Sequence, residues 1–181
     1  MSPTGILLLD LDGTVRETIS GETFINKPED QKMIAGAAKA MQHYPADEWR
    51  AYGITNQAGV LYGYKSLENM ADEQIQTMII CPWLHSIYAC PDKGEQCFRF
   101  EGERRITALW GHEDYRHLAG AFRKPAPGML MAAIIQHRKE GGLVSKILMA
   151  GDRPEDKAAA EAAGVPFLSA EDWWAGKCPE P

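Results

Sequence analysis

Short apolar runs recur along this chain, and longer segments of helical period fill the intervals between them. Residues Gly5 to Asp10 read GILLLD, apolar in both alternating sets, the pattern of a strand covered on both sides. Trp49 to Thr55, Ser86 to Ala89, Lys146 to Ala150 and Pro166 to Leu168 are further strand candidates. The helical patterns begin near Glu29 after Pro28, at Ser66 (running to Ile80 and ended by Pro82), at Met129 (to Arg138) and at Glu155 (to Ala163, closed by Gly164). Glu171 to Trp174 adds a terminal helical turn. This order predicts an α/β fold of three layers, Rossmann-like, with a mostly parallel central sheet and helices on both faces. The 181 residues fit a single domain, 1–181. Residues 92–121, rich in Gly, Arg, Glu and aromatics, fit the alternation least and read as an irregular loop or small insert.

With 45% hydrophobic and 24% charged residues, disorder is excluded as a starting point. The net charge of −6 argues against broad nonspecific binding to nucleic acid or an anionic membrane, while leaving room for a local basic pocket. Four cysteines, at 81, 90, 97 and 178, are too few for a disulfide scaffold. The start, MSPTGILLLDLDGT, has no basic segment before its short apolar run, and no stretch is long enough to span a membrane. A reduced, cytoplasmic setting is the expectation.

In such sheets ligands bind beyond the carboxyl ends of the strands. Three of those ends carry Asp10, Thr55 and Asp152. In an extended chain Asp10 and Asp12 point the same way while Leu11 turns into the fold, and Gly13 permits the exit turn. Two carboxylates so close repel unless a cation sits between them or one is protonated. In Gly151-Asp152-Arg153-Pro154-Glu155-Asp156, Asp156 can face the same site from the first helical turn, and Asp152 can alternatively cap that helix. Asp10, Asp152 and Asp156 together form an oxygen cluster suited to Mg²⁺. Thr55 and Asn56 stand at a turn whose hydroxyl and N–H groups can hold phosphoryl oxygens, and Lys124, between Arg123 and Pro125, is a point charge for a phosphate.

In combination these segments resemble the haloacid dehalogenase (HAD) superfamily of phosphohydrolases. The matching residues are Asp10 and Asp12 in DLDGT, Thr55 in ITNQ, Lys124 in FRKPAPGM, and Asp152 with Asp156 in GDRPED. The resemblance implies the HAD fold and a two-step transfer through an aspartyl-phosphate. Asp10 is then the nucleophile and Asp12 the acid and base. Thr55 and Lys124 hold the phosphoryl group, and Mg²⁺ is held by Asp10, the Asp12 carbonyl, Asp152 and Asp156. The intervals between motifs leave no room for a large cap domain. Access is then shaped by a flap over residues 15–27 and by the 92–121 loop.

Within the superfamily, TNQ and RKPAPGM resemble the branch of heptose bisphosphate, histidinol and polynucleotide 3′-phosphatases. Thr18, Ser20, Gly21 and Phe24 after DLDGT are similar to the polynucleotide kinase 3′-phosphatase domain. A nucleic-acid 3′ end is therefore the first substrate expectation, with Asn56, Arg16 and Arg123 as substrate-binding residues. Arg99, Arg104 and Arg105 would extend a basic path. The alternatives are a sugar (heptose) bisphosphate or histidinol phosphate, and a noncatalytic phosphate-binding protein on the same fold. Sugar and histidinol phosphatases of this branch carry a zinc loop before the RKP motif. Here Cys90 and Cys97 match only part of it, with Asp92 in place of a histidine and Phe122 in place of a cysteine, so structural zinc is not expected.

Overall fold

A computed structural model describes residues 3–102 and 104–177. Cys178 lies outside them. The core is a seven-stranded sheet whose strands are β1 (Gly5–Asp10), β4 (Trp49–Asn56), β5 (Leu84–Cys90), β6 (Phe98–Glu101), β7 (Arg105–Ala108), β8 (Lys146–Gly151) and β9 (Phe167–Ser169). Their spatial order is β7-β6-β5-β4-β1-β8-β9. The five strands from β5 to β9 across the centre are mutually parallel, while β6 and β7 add antiparallel on one edge. A two-stranded ribbon, β2 (Arg16–Glu17) with β3 (Lys32–Met33), forms the base of the segment after β1.

The period-2 alternation in β1 divides the core as the sequence predicts. Ile6 and Leu8 enter one apolar layer with Met129, Leu130 and Ala133 of α4 (Gly128–Lys139) and Ala159 and Ala160 of α5 (Pro154–Ala163). Leu7 and Leu9 enter the opposite layer with Ala37 and Ala40 of α1 (Ala35–Ala40), Met70 of α3 (Leu67–Ile80) and Trp173 of α6 (Ala170–Trp174). A single helical turn, α2 (Ala58–Leu61), follows β4. Ser66 caps α3 by accepting from the Asn69 N–H at 3.0 Å, and Gly164 closes α5 in the left-handed region at φ 67°.

Two expectations change. The first helix starts at Ala35, not near Glu29, because Lys32 and Met33 pair with the ribbon and the Gln31 side chain is drawn inward onto Arg16. Residues 92–121 are not merely a surface loop. They supply β6 and β7, and Cys97, Leu109, Tyr115 and Leu118 fill the core layer under α4. Among the described residues no helix is long and apolar enough to cross a membrane.

Topology positions the site. The chain leaves β1, builds outward through β4 to β5, then returns across β1 to β8 and β9. The carboxyl end of β1 is therefore the switch point where the connections diverge, and Asp10 stands there.

Candidate active site

Asp10 and Lys124 make the central contact. Lys124 Nζ lies 2.6 Å from Asp10 Oδ1 and 2.6 Å from Asp156 Oδ1, and donates to the Ile54 carbonyl at 2.9 Å. All three side chains are nearly fully buried. The lysine is placed by a reciprocal backbone clamp from the neighbouring strand end. Asn56 Nδ2 donates to the Lys124 carbonyl at 3.0 Å, and the Lys124 N–H donates back to Asn56 Oδ1 at 3.0 Å. Asn56, expected to bind substrate, is thus spent on holding Lys124.

Burial pushes the Asp10 carboxyl up to about 7, with Asp156 and Asp12 adding to the rise and Lys124 opposing it. Burial alone would lower the Lys124 ammonium, but Asp10 and Asp156 raise it above its ordinary value. Thr14 Oγ1 donates to the second Asp10 oxygen at 3.1 Å.

Asp12 faces the open side of the pocket. Burial would raise its carboxyl, yet the Arg16 guanidinium holds it below the usual carboxylate range. Arg16 grips it with two donors, Nε to Oδ1 at 3.0 Å and Nη2 to Oδ2 at 3.3 Å. Thr55 Oγ1 reaches the same carboxylate at 3.4 Å.

Asp152 follows β8 and faces Asp10 across Gly13. A Cβ on Gly13 would stand 2.3 Å from Asp152 Oδ2, so this close approach needs glycine, as does its φ of 89°. Asp152 does not cap α5. That part falls to Asp156, whose Oδ2 accepts the Arg153 N–H at 3.0 Å. The cap fixes Asp156 in the site, with its other oxygen toward Lys124. Asp10, Asp152 and Asp156 each bring a carboxylate oxygen within 4.8 Å of the others. Three hard oxygen donors gathered on one side of a buried lysine fit a small divalent cation.

Around these groups opens a pocket of about 1070 Å³, lined also by the flap, Tyr62, Tyr64, Lys65, Arg123 and Arg153. Four of the five arginine expectations change. Arg16 is fully buried, with donors also directed at Glu73, Gln31 and Thr77, so it supports Asp12 rather than reaching for substrate. Arg104 lies on the β6–β7 turn and Arg105 opens β7, and because β6 runs antiparallel to β5 both are at the opposite end of the sheet. Arg99 is buried against Glu101 at 2.9 Å. Arg123 remains at the rim, its Nη1 donating to the Asp92 carbonyl at 3.3 Å.

Sequence reasoning missed Arg153, Lys65 and Glu73. The signal for Glu73 was readable: Met70, Glu73, Gln74 and Thr77 share the core-facing side of α3, and ionisable residues at core positions demand partners.

Cys90 and Cys97 are both buried, and burial pushes the Cys90 thiol up to about 12 and the Cys97 thiol well above its ordinary value. Asp92 organises the loop by accepting from the N–H groups of Gly94 at 2.8 Å and Gln96 at 3.2 Å. The Gly94 carbonyl in turn accepts from Gly120 and Phe122, which ties both ends of the segment together just before Lys124.

A family model for polynucleotide kinase 3 phosphatase matches residues 5–173, from β1 into α6. The chain belongs to that family. Curated relatives include a D-glycero-D-manno-heptose-1,7-bisphosphate 7-phosphatase of Thermosynechococcus vestitus, 27% identical over 167 residues, covering 90% of this chain and 76% of that protein. A second, of Pasteurella multocida, is named D-glycero-beta-D-manno-heptose-1,7-bisphosphate 7-phosphatase. It is 26% identical over 171 residues, covering 88% of this chain and 77% of that protein. Among solved structures, D,D-heptose 1,7-bisphosphate phosphatase from B. bronchiseptica, complexed with magnesium and phosphate, matches with a TM-score of 0.62 at 20% identity. That match covers 97% of this chain and 88% of the other. A HAD-like phosphatase from Mesorhizobium loti matches with a TM-score of 0.63 at 19% identity, covering 97% and 87%. The family member described here is a phosphatase on the HAD fold.

Proposed function

We propose that this phosphatase hydrolyses a small phosphorylated metabolite of the sugar bisphosphate class, through a phosphoryl group carried on Asp10. The observation that supports it most is the placement of Lys124, a buried cation 2.6 Å from Asp10 at the switch point of the sheet. A phosphoryl group arriving at Asp10 meets Lys124 on one side and the Thr55 hydroxyl on the other, a preorganised charge for the transition state. In the first step an Asp10 oxygen bonds to phosphorus, the bond to the leaving oxygen breaks, and Asp12 gives that oxygen its proton. In the second, water attacks phosphorus, Asp12 takes the proton from the water, and the bond to Asp10 breaks to release inorganic phosphate. Arg16 favours the carboxylate form of Asp12, ready for the second step. The negative charge of an entering phosphate pushes the other way, toward the protonated form needed in the first.

Asp10, Asp152 and Asp156 would hold Mg²⁺, with the Asp12 carbonyl as a further ligand, and the ion would offset the charge that their carboxylates and the substrate bring together. The sugar bisphosphate class follows from the named relatives and from two rim cations, Arg123 and Arg153, able to receive a second phosphate. A nucleic-acid 3′ end is the second reading. Exposed Phe24, Tyr62 and Tyr64 on the pocket rim could stack on bases, although the arginines at the far end of the sheet give no path to it.

The test compares hydrolysis of heptose bisphosphate, histidinol phosphate and a 3′-phosphorylated oligonucleotide, with and without Mg²⁺. Preference for the bisphosphate is the expected outcome, with Asp10→Asn inactive in a folded protein. Turnover by folded Asp10→Asn would refute the nucleophile, and preference for the oligonucleotide would refute the substrate class.

A further inference from the structure

From the proposed chemistry of Asp12 and Thr55, we infer that Glu73 is a positioning residue for both. A closed circuit of six side chains carries the inference. Asp12 is gripped by Arg16. Arg16 Nη2 continues to Glu73 Oε1 at 2.6 Å. The other Glu73 oxygen pairs with Lys65 Nζ. Lys65 Nζ reaches Gln57 Oε1 at 3.3 Å, Gln57 Nε2 donates to Thr55 Oγ1 at 3.0 Å, and Thr55 Oγ1 returns to Asp12 Oδ2 at 3.4 Å.

Five of the six members are buried, and only Asp12 opens to solvent, its side chain 39% exposed. Charges alternate along the ionic arc (minus, plus, minus, plus from Asp12 to Lys65), so each buried charge has an opposite neighbour and the arc is neutral as a whole. Glu73 is its keystone: it alone touches both cations, and it comes from α3, an element otherwise remote from the phosphate site. Withdrawing its charge leaves Arg16 and Lys65 sharing one anion, and both the Asp12 rotamer and the Thr55 hydroxyl lose their far anchor. Lys65 also donates to the Ile25 carbonyl at 2.5 Å, which ties the flap to the same circuit.

If Glu73 acts by holding Asp12 in line with the leaving oxygen, its loss is felt where that oxygen must be protonated. A nitrophenolate departs without a proton, whereas an alkoxide does not. The experiment measures kcat and KM of Glu73→Gln on glycerol phosphate and on p-nitrophenyl phosphate, with folding checked by circular dichroism and melting temperature. The expected result is a loss of about 10²-fold in kcat/KM, which reports the transfer to Asp10 and not the later attack of water, on the alkyl ester and less than about tenfold in kcat/KM on the aryl ester. Glu73→Asp, which keeps the charge and withdraws it by one methylene, restores part of the alkyl activity. Equal losses on both esters, or none, in a folded variant would overturn the inference. Should Glu73→Gln not fold, the same comparison on Glu73→Asp decides it: selective loss on the alkyl ester supports the inference, and equal or absent loss overturns it. Wild-type protein that hydrolyses neither these esters nor heptose bisphosphate in the presence of Mg²⁺ would instead sink the proposed chemistry itself. If only the bisphosphate turns over, it takes the place of glycerol phosphate as the alkyl ester.

Discussion

The nucleophile candidate is placed at a cost to the fold, and the cost has a pH signature. Asp10 is buried with its carboxyl raised to about 7 from an ordinary 3.8. In the unfolded chain the same group ionises near its ordinary value. The folded state therefore binds more protons between the two, so the contribution of Asp10 to stability is fully present below the lower value. It is lost as pH rises through the upper one. From pH 5 to pH 8 the loss is about 3 kcal/mol, from roughly two units at 1.36 kcal/mol each. For a domain of this size that is a fall of about 6–12 °C in melting temperature. The assay is thermal unfolding of EDTA-treated protein at pH 5 and pH 8, wild type against Asp10→Asn. Asparagine keeps the shape and removes the charge, while Lys124 retains Asp156 and the Ile54 carbonyl. The variant should gain on wild type by about 6–12 °C in melting temperature between pH 5 and pH 8, and melt higher at pH 8, with Mg²⁺ narrowing the gap. An Asp10→Asn protein that melts lower than wild type at pH 8, or follows the same pH slope, would refute the reasoning.

Three further outcomes are expected. Asn56→Ala removes both halves of the Lys124 backbone clamp and should lower unfolding free energy in urea by about 2–3 kcal/mol, with a larger proportional loss in kcat/KM. Lys124→Met leaves Asp10 and Asp156 buried without their cation; a drop of about 3–5 kcal/mol at neutral pH and no measurable turnover are the predicted readings. Gly13→Ala forces a side chain into positive φ against Asp152, and phosphatase activity should fall at least about 10²-fold while circular dichroism stays native.

What the sequence made legible was local. The strand ends bearing Asp10, Thr55 and Asp152 could be read because apolar runs stop abruptly at polar residues, and the parallel order because such runs alternate with helical periods. Lys124 and Asp156 were readable from motif context, since each lies within a few residues of a helix start. Residues 98–108 were not readable as strands. FRFE and RITA do alternate apolar with polar residues, but each run is only four residues long and lies among glycines and charged residues, and only the pairing of β6 with β5 and of β7 with β6 makes them part of the sheet. Nor was the start of α1, because the ribbon claims residues that would otherwise extend the helix.

Charge partners divide the two kinds of knowledge most sharply. Arg16 looked like a free cation on a flap, and Asn56 like a substrate contact. Folding brings Glu73 to Arg16 from 57 positions away, and the Lys124 backbone to Asn56 from 68. The sequence by itself determined which strand ends would bear carboxylates and hydroxyl and which helix the lysine would precede, because periodicity and turn chemistry act over a few residues. Only the tertiary structure decided which ionisable groups are spent on one another and which face the pocket, because desolvation and Coulomb pairing depend on distance in space.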